Sequence, residues 1–550
     1  MNVMETPLGK MVETDVLVLG AGVSGSGAAI AAKREGADVV LLDKGRLESC
    51  GQAGGGNDHF LAILDSGPET DTCDALVKFY SRPVSGLTPG MVENGWYRMM
   101  RPVLDILVEE KIGFVKTEDG SYLRSQGFGQ PGSWWIHVEG GQTVKRQIAR
   151  RVRAEGINVF DFLLTTKLCK SGHRVSGCMA YDVRNGDFYV FKAKKVVVCL
   201  GKTVARASAN STGNPFNSWY SPYVTGAHFV LPWEIGAKIM NLDIMQQATL
   251  EPKGYGAPGM NGINNMGGKE LNALGERFMG KYDPMWENGL RIHQVQGTYQ
   301  EFLDGKGPPF YMDMTHFTEK DAHYLQYVLM PGDKATYNDW TDQVGIDFKR
   351  DPLEVELSEI SPDGLLYTDD KFETNVEGLF NGCAFISWSG AMCGGCYAGM
   401  QAAEAALKGG QLADIDQKAA AAEKERVLAP LERKNGVGYK DFESSLRNVM
   451  DYYMGYARSE KGIRLALQKL DFIGTYADKI KAANHHELMR AHEALALHKI
   501  CVLTCLTCLE RRESGRAVYR RGDFPNLDPA MEKPLVIWHE EGKFKFSWGR

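Results

Sequence analysis

The chain has 550 residues, 43% of them hydrophobic and 24% charged, which is typical of a globular protein with several domains. Its formal net charge of −6 favours neither nucleic acid nor an anionic membrane surface as a partner. The N-terminus is mixed and polar, and no run of about 18 apolar residues occurs. These features predict a cytoplasmic protein without a secretory signal or a membrane span.

A glycine-rich turn near the N-terminus joins the first predicted strand, at 14–20, to the first predicted helix. Gly20, Gly22 and Gly25 have the GxGxxG spacing, and Asp43 ends the next predicted strand. The first glycine permits a tight turn, the second lets a pyrophosphate approach the backbone, and the third lets the helix lie close to the sheet. Free N–H groups at the helix start favour phosphate, and the carboxylate suits a ribose. This arrangement predicts a dinucleotide site.

Two later segments favour FAD over NAD. Residues 158–200 predict short antiparallel strands that return to a buried parallel strand ending at Gly201, the meander found in FAD domains of the flavoprotein reductase type. Further along, 375–382 predicts a late strand, and SGAMCGGCYAGM at 389–400 predicts a glycine-rich loop leading into a helix. N–H groups of that loop are expected to face the pyrimidine carbonyls of the flavin.

The predicted fold is α/β plus α+β, with a Rossmann-like FAD-binding domain built on a parallel sheet and a β-meander. Its predicted parts are a discontinuous FAD-binding domain (1–225 and 355–410), an inserted α+β capping domain (226–354), a helical domain (411–514) and a C-terminal tail (515–550). The residues predicted to contact FAD are Gly20, Gly22, Val23, Ser24, Gly25, Asp43, Lys44, Cys50, Gly51, Gly55, Gly56, Asn57, Gly201, Gly382, Gly395 and Cys396.

The cysteines allow two interpretations in each of two places. Cys393 and Cys396 could form a redox dithiol beside the flavin. The favoured interpretation is that they are small residues that allow tight packing there. Cys501, Cys505 and Cys508 recur at helical spacing and indicate one buried helix face rather than iron–sulfur ligands, which need a fourth ligand. No metal site is therefore predicted.

Several motifs resemble the flavoprotein subunits of the succinate dehydrogenase/fumarate reductase superfamily. Besides GAGVSG and LLDKG, these are LNALGERFM (271–279), YMDMTH (311–316), VEGLFNG (376–382) and RRGDFPNLD (520–528). Within the superfamily, the segment 289–312 is most similar to the alpha subunits of adenylylsulfate reductases. The resemblance covers nearly the whole chain.

Departures from the superfamily pattern bear on how FAD is attached and on which substrate is expected. Cys50 stands where respiratory fumarate reductases carry their flavin-linking histidine, so the resemblance implies a non-covalent FAD. NNMGG at 264–268 lacks the arginine of dicarboxylate enzymes, and SGAMCGG at 389–395 lacks their histidine and arginine. Fumarate and succinate are therefore disfavoured as substrates.

Arg291 is the leading catalytic candidate, because the resemblance implies an arginine that reaches the substrate from this helix. Its forked, fixed positive charge suits a carboxylate, sulfate or phosphate, and the alternative is a surface or ion-paired arginine. His293 faces elsewhere if the helix is regular. His137 and His59 are further candidates, each with a core histidine as the equal alternative.

The resemblance implies the catalytic flavoprotein subunit of an adenylylsulfate-reductase-like complex. It would act on a small anionic substrate and exchange electrons with a separate iron–sulfur, ferredoxin-like subunit, since the chain lacks a ferredoxin-type cysteine pattern. Two alternatives remain open: a stand-alone enoate reductase or dehydrogenase on a non-dicarboxylate acid, and a FAD-binding electron-relay or assembly protein.

Overall fold

The computed structural model describes residues 3–65, 68–218, 220–246, 250–256, 260–358 and 360–550. Its largest sheet draws strands from both sides of the predicted insertion. These strands are Met4–Thr6, Gly9–Leu19, Val39–Asp43, Asn158–Asp161, Leu163–Ser171, Arg174–Asp182, Phe188–Val198 and Leu379–Asn381.

The sheet has the predicted combination of parallel strands and a meander. Gly9–Leu19 pairs in parallel with Val39–Asp43 and with Phe188–Val198, which pairs in parallel with Leu379–Asn381. The hairpins between Leu163–Ser171, Arg174–Asp182 and Phe188–Val198 are antiparallel. The chain thus returns from the meander to the centre of the sheet, which confirms the predicted fold class and brings Gly20, Gly201 and Gly382 to the carboxyl ends of neighbouring strands.

Two helices cross above this sheet at very short range. They are Val23–Arg34, which follows the glycine turn, and Trp388–Leu407. A Cβ added at Gly395 would lie 2.1 Å from the carbonyl oxygen of Ser24, and one added at Gly399 would lie 2.1 Å from that of Ala28. The predicted glycine-rich loop is therefore wrong: the double glycine lies inside a helix, where it permits backbone contact between the two helices.

A small sheet with its own core lies between residues 250 and 356, within and just beyond the predicted insertion. Across this antiparallel sheet the strands lie in the order Glu251–Pro252, Leu353–Glu356, Phe310–Asp313 and Lys269–Leu271. Ile263, Phe278, Met312 and Leu329 are among the buried side chains that fill its core. This is the α+β insertion that the sequence predicts, although the boundaries of 226 and 354 remain a prediction.

The remaining helices of eight residues or more are distributed over both units and the C-terminal segment. They are Cys73–Tyr80, Arg98–Glu109, Val144–Ala154, Ala227–Glu234, Arg291–Leu303, Tyr337–Val344, Gln417–Glu432, Tyr439–Tyr453, Glu460–Gly474 and His485–Glu510. The C-terminal hairpin, Leu535–Glu540 with Lys543–Trp548, adds to a sheet with Ile239–Met240 and Leu365–Leu366, so the tail is fastened to the body of the protein.

Helix His485–Glu510 is long and apolar enough to cross a membrane by length and composition. Over half of its apolar window, 56%, is nevertheless buried inside the fold, as in the core helix of a globular protein. Cys501, Cys505 and Cys508 lie on its buried side, as predicted, and the Cys505 thiol contacts the sulfur of Met450 at 4.0 Å.

A buried ion-pair network joins the FAD-binding sheet to the helical segment. Glu493, on helix His485–Glu510, accepts hydrogen bonds from Lys44 (2.5 Å), Arg206 (2.8 Å) and Arg490 (2.6 Å). Arg206, fully buried, also forms a forked pair with Glu443. Burial opposes ionisation of Glu493, but these three cations outweigh it and lower its pKa to about 2.

The Gly395→Ala variant tests the helix crossing. Helix propensity alone would stabilise alanine by about 1 kcal/mol, but the collision with the Ser24 carbonyl is expected to cost about 1–3 kcal/mol and to win. We expect a lower thermal unfolding midpoint and reduced flavin content after purification. Gly522→Ala is the control, since the closest atom to its added Cβ would lie at an ordinary 3.8 Å. Equal stability of the two variants would contradict the crossing.

Glu493→Gln tests the buried network. Removing the carboxylate leaves Lys44 and Arg490 without a counter-ion, whereas Arg206 keeps Glu443, and is expected to cost about 3–5 kcal/mol at neutral pH. Because the pKa of Glu493 is depressed to about 2 in the folded protein, its contribution is present above the unfolded pKa of about 4.3 and is lost as the pH falls toward 2.

Chemical unfolding across this pH range measures the effect. The gap in stability between wild type and Glu493→Gln should therefore narrow below about pH 4. Glu460→Gln removes an exposed pair with Arg464 and should change stability by less than about 0.5 kcal/mol. A gap that does not depend on pH would count against the network.

Candidate flavin and substrate site

The turn before helix Val23–Arg34 leaves an open stretch of backbone. A Cβ at Gly20 (φ 94°) would lie 2.4 Å from the Cys199 carbonyl oxygen, and one at Gly25 would lie 1.7 Å from that of Gly20. At Gly22 a Cβ would meet only the Cα of Gly51, at 3.6 Å, and no side chain caps this helix start. The turn is thus closed on the protein side and accessible at Gly22, as a pyrophosphate requires.

Asp43 stands at the end of its strand with both carboxylate oxygens oriented. They accept hydrogen bonds from the backbone N–H groups of Ala21 (2.8 Å) and Gly45 (2.7 Å), and each keeps a lone pair for a ribose hydroxyl. Lys44, also predicted to contact FAD, has a different partner. Its ammonium is paired with Glu493, so it serves the link to the helical segment.

The loop after Asp43 approaches both the glycine turn and the inserted segment. The Cys50 thiol is buried and donates a weak hydrogen bond to the Leu47 carbonyl at 3.7 Å, and burial raises its pKa. Gly51 (φ 79°) touches Gly22, since a Cβ there would lie 2.8 Å from the Gly22 Cα. The loop therefore places Cys50 beside the glycine turn at Gly20–Gly25 as an unreactive thiol.

The glycines that follow carry this loop to the inserted segment. A Cβ at Gly56 (φ 146°) would lie 1.9 Å from the Gly332 carbonyl oxygen, and Gly55 lies beside Asp333. Asn57 is buried, and its Nδ2 has no hydrogen-bond partner among the described residues. These predicted FAD contacts therefore lie where the insertion covers the FAD-binding sheet.

The second helix start is built by residues that were not predicted from the sequence. Ser387 (φ 62°) caps helix Trp388–Leu407 by accepting the Gly390 N–H at 3.2 Å. Trp388 donates its indole N–H to the His59 carbonyl, and Ser389 accepts the Leu61 N–H at 3.2 Å. A serine before an alanine-rich helix is an N-cap signal and could have located this end.

Two predicted FAD contacts are corrected by this helix. Gly395 and Cys396 lie two turns inside it, on the face that meets helix Val23–Arg34, so their N–H groups belong to the helix. Cys393 and Cys396 are buried and burial raises both thiol pKa values, which supports tight packing over a reactive dithiol. Among the described residues, no cluster of three or more His, Cys, Asp or Glu could hold a metal ion.

The residues around Gly201 and Gly382 close the middle of the site. Gly201 adopts φ 82° at the end of the meander, and the Ser24 hydroxyl donates to the Gly382 carbonyl at 2.6 Å. Next to Gly382, Asn381 is buried with an Nδ2 that lacks a partner in the described structure. The open backbone at Gly22, the uncapped first helix, the oriented Asp43 and these unpartnered amides fit a bound FAD.

Arg291 begins helix Arg291–Leu303 and lies against an aromatic ring. Its guanidinium is 4.0 Å from the ring centre of Phe128, and its enclosed Nε has no hydrogen-bond partner in the described structure. Arg291 has no salt bridge among the described residues, burial lowers its pKa, and the Asp363 carboxylate that acts on it from a distance is paired with Lys202. Arg291 is therefore an oriented cation without a protein counter-ion, unlike the ion-paired alternative.

His293 does not join Arg291. Its side chain is 44% exposed, and its Nδ1 is paired with Asp283 at 2.7 Å. The helix is regular here, so two residues of separation direct the two side chains apart. The predicted catalytic role of His293 has no support from this geometry.

His137 lies in the interior, where both ring nitrogens are engaged. Nδ1 is 2.8 Å from the Tyr324 hydroxyl and Nε2 is 3.1 Å from the Ser125 hydroxyl. Burial, helped by neighbouring His59, lowers the pKa of His137 to about 3, so it is neutral. It is suited to positioning its neighbours rather than to carrying charge to a substrate.

Comparisons with known proteins agree with this architecture. The FAD binding domain family matches residues 15–465. An uncharacterized FAD-dependent oxidoreductase of Methanocaldococcus jannaschii is 24% identical over 96% of each chain. The fumarate reductase (CoM/CoB) of Methanothermobacter marburgensis has a subunit that is 23% identical over 96% of this chain and 97% of its own.

Solved structures share the fold over almost the full length. Adenylylsulfate reductase of Archaeoglobus fulgidus superposes with a TM-score of 0.85 at 22% identity, covering 98% of this chain and 96% of that one. Quinol fumarate reductase of E. coli gives 0.82 at 17% identity, covering 98% and 97%. The chain therefore belongs to the FAD binding domain family and is a FAD-dependent oxidoreductase with the fold of the fumarate reductase and succinate dehydrogenase flavoproteins.

Proposed function

We propose that this protein is the catalytic flavoprotein subunit of an adenylylsulfate-reductase-like complex and exchanges two electrons with a small anionic substrate held by Arg291. The observation that carries the proposal is the cation itself: Arg291 is oriented over Phe128, its Nε is enclosed, and no carboxylate of the described chain neutralises it. A half-buried charge without a salt-bridge partner has lost part of its hydration, and a bound anion would compensate that loss.

The shape of the cation favours an oxyanion. A guanidinium presents paired N–H groups in one plane, which matches the oxygens of a sulfate, phosphate or carboxylate. The neighbouring loop is fastened to the helix start, because Gly129 donates its N–H to the Asn288 carbonyl at 2.8 Å. Gln130 in turn donates to the Tyr80 hydroxyl at 2.9 Å. Arg291 is thus supported by a rigid frame.

The surroundings of the NNMGG segment disfavour a dicarboxylate. Asn264 donates to the Glu270 carboxyl and to the Glu287 carbonyl, both at 3.3 Å. Burial, together with the nearby Glu287, raises the pKa of Glu270 to about 8. Glu270 is therefore protonated at neutral pH, and Glu287 is already paired with Arg277, so this segment supplies no free cation for a second substrate carboxylate.

Within the site, each group has a separate task. FAD, when bound, supplies the two-electron chemistry. The helix start at Trp388 offers N–H groups and a positive dipole end to developing negative charge. Arg291 anchors the anion, and the contact of Gly332 with Gly56 closes the insertion over the FAD loop and excludes water.

We further propose that a separate iron–sulfur subunit supplies or receives the electrons. All eleven cysteines are unpaired, and ten of them are buried. None of the described residues forms a cluster able to hold metal. The described residues thus offer no iron–sulfur site, and co-purification of a ferredoxin-like chain would support a separate electron-transfer subunit.

Anaerobic flavin absorbance tests the substrate class. We expect the flavin to be reduced by sulfite together with AMP, and the reduced flavin to be reoxidised by adenylylsulfate, with no comparable response to succinate or fumarate. Arg291→Ala should weaken the apparent substrate affinity by at least about 30-fold, equivalent to about 2 kcal/mol, while FAD content is retained.

Matched variants make the result specific. Arg291→Lys keeps the charge but loses the forked geometry and should recover only part of the affinity. Arg464→Ala removes an exposed arginine paired with Glu460 and should behave as wild type. A response to a non-dicarboxylate enoate but not to adenylylsulfate would instead favour the enoate reductase alternative, and an unchanged Arg291→Ala would favour an electron-relay role.

The attachment of FAD is a further test. Cys50 is buried and protonated, and the resemblance places it where other enzymes have a linking histidine. We expect acid precipitation to release all flavin into the supernatant. Flavin that stays with the precipitated protein, measured by its absorbance after washing, would show a covalent link and contradict this expectation.

A further inference from the structure

One helical run of the inserted segment makes two polar contacts with the FAD-binding side. It comprises α-helix Glu319–Tyr324, a π-helical turn Leu325–Leu329 and α-helix Met330–Asp333. The Tyr324 hydroxyl lies 2.8 Å from His137, and Asp333 accepts the backbone N–H of Asp58 at 2.9 Å. We call this run, 319–333, the closing helix.

The π-turn lets one helix make both contacts. Tyr324 and Asp333 are nine residues apart, about 2.5 turns of a regular α-helix, so an unbroken helix would direct them to opposite sides. The wider π-turn between them changes this angle, and such turns are frequent at functional sites. At the end of the run, Gly332 packs its carbonyl against Gly56 and Gly141, where a Cβ would lie 1.9 and 2.7 Å from it.

A pair of histidines receives the closing helix. His59 and His137 are direct partners on antiparallel strands His59–Leu61 and Trp135–Glu139, and their ring centres are 4.5 Å apart. Asp58 holds His59 Nδ1 at 2.7 Å, whereas His59 Nε2 is buried without a partner in the described structure. The order of groups across the contact is therefore Asp333, Asp58, His59, His137 and Tyr324.

The two carboxyl groups in this row can hold only one negative charge. Asp333 accepts the backbone N–H of Asp58 at 2.9 Å, which places the two carboxyl groups side by side, and like-charge repulsion then opposes ionisation of both. Burial acts to raise the pKa of Asp58, but His59 and Asp333 outweigh it and lower it. Burial, and then Asp58, raise the pKa of Asp333 well above its usual range.

The other titratable groups that face this row leave the assignment unchanged. His137 is neutral and adds only weakly to the field at Asp58. Glu139 acts on Tyr324, and both it and Asp58 raise the pKa of that phenol after burial has done so. The proton on Asp333 is therefore the one whose loss places two carboxylates in contact.

We propose that Asp333, Asp58 and His59 form a proton-dependent latch, in which the closing helix docks on the FAD loop with one proton bound and is released when that proton is lost. Release is a simple ionisation: the Asp333 carboxylic acid gives its proton to water and becomes a carboxylate that repels Asp58. In the open form Asp333 is solvated, and its pKa returns toward about 4.

The sign of the pH dependence follows from the raised pKa. A group whose pKa is higher in the closed form than in the open form stabilises closure at low pH and loses that effect as the pH rises through the closed-form pKa. The latch does not depend on which substrate is used, because it acts on the contact between the insertion and the FAD loop.

Release of FAD measures the latch. FAD-loaded protein is diluted at constant ionic strength, and the rise of free-flavin fluorescence gives the dissociation rate. We expect the wild-type rate to increase at least about fivefold between about pH 6 and about pH 9. Asp333→Asn keeps a donor for Asp58 and an acceptor for its N–H group but cannot ionise, so its rate should be low and independent of pH.

Three controls keep the test decisive. Asp339→Asn removes an exposed carboxylate from the neighbouring helix Tyr337–Val344 and should keep the wild-type pH response. Tyr324→Phe removes the bond to His137 and should raise the rate at every pH without changing its pH dependence. If Asp333→Asn fails to bind FAD, Asp58→Asn replaces it. A wild-type rate independent of pH, or an Asp333→Asn variant with the wild-type pH response, would overturn the latch.

Discussion

The backbone contact between helices Val23–Arg34 and Trp388–Leu407 is the constraint on which the rest of the structure depends. Glycines at 395 and 399 let the second helix touch the carbonyls of Ser24 and Ala28, and no residue with a Cβ could do so. The two helices are separated by more than 350 residues in the chain. Their close approach brings two helix starts to the same edge of one sheet, and we propose that one receives the phosphates of FAD and the other the flavin ring.

The helical segment secures this arrangement from the side. Lys44 directly follows strand Val39–Asp43 and forms a salt bridge with Glu493, which also pairs with Arg206 and Arg490. Breaking such a buried network is expensive because each group left behind is charged. Where the inserted segment meets the FAD-binding domain, by contrast, buried atoms lack partners among the described residues. These atoms belong to Asn57, His59 and Arg291. Polar atoms left unsatisfied in an otherwise well-packed protein are expected where a ligand binds and an element moves.

Local patterns predicted the parts of the site that depend on local geometry. The GxGxxG turn, Asp43 and the meander are each specified by short runs of residues, and the structure has them where expected. Gly395, Cys396 and Lys44 were assigned to the cofactor from their neighbours in sequence. Their contacts instead come from residues hundreds of positions away, which no local pattern encodes. The N-cap at Ser387 carried a readable local signal that the glycines beyond it obscured.

The central claim is that one FAD lies between the two helix starts and serves an anion held by Arg291. The most direct measurement is a crystal structure of the FAD-loaded protein soaked with adenylylsulfate. We expect the pyrophosphate against Gly22 and Gly51, the flavin pyrimidine ring at the turn that begins with Trp388, and anion oxygens on the Arg291 guanidinium. A flavin ring bound away from Trp388, or an anion bound without Arg291, would contradict this claim.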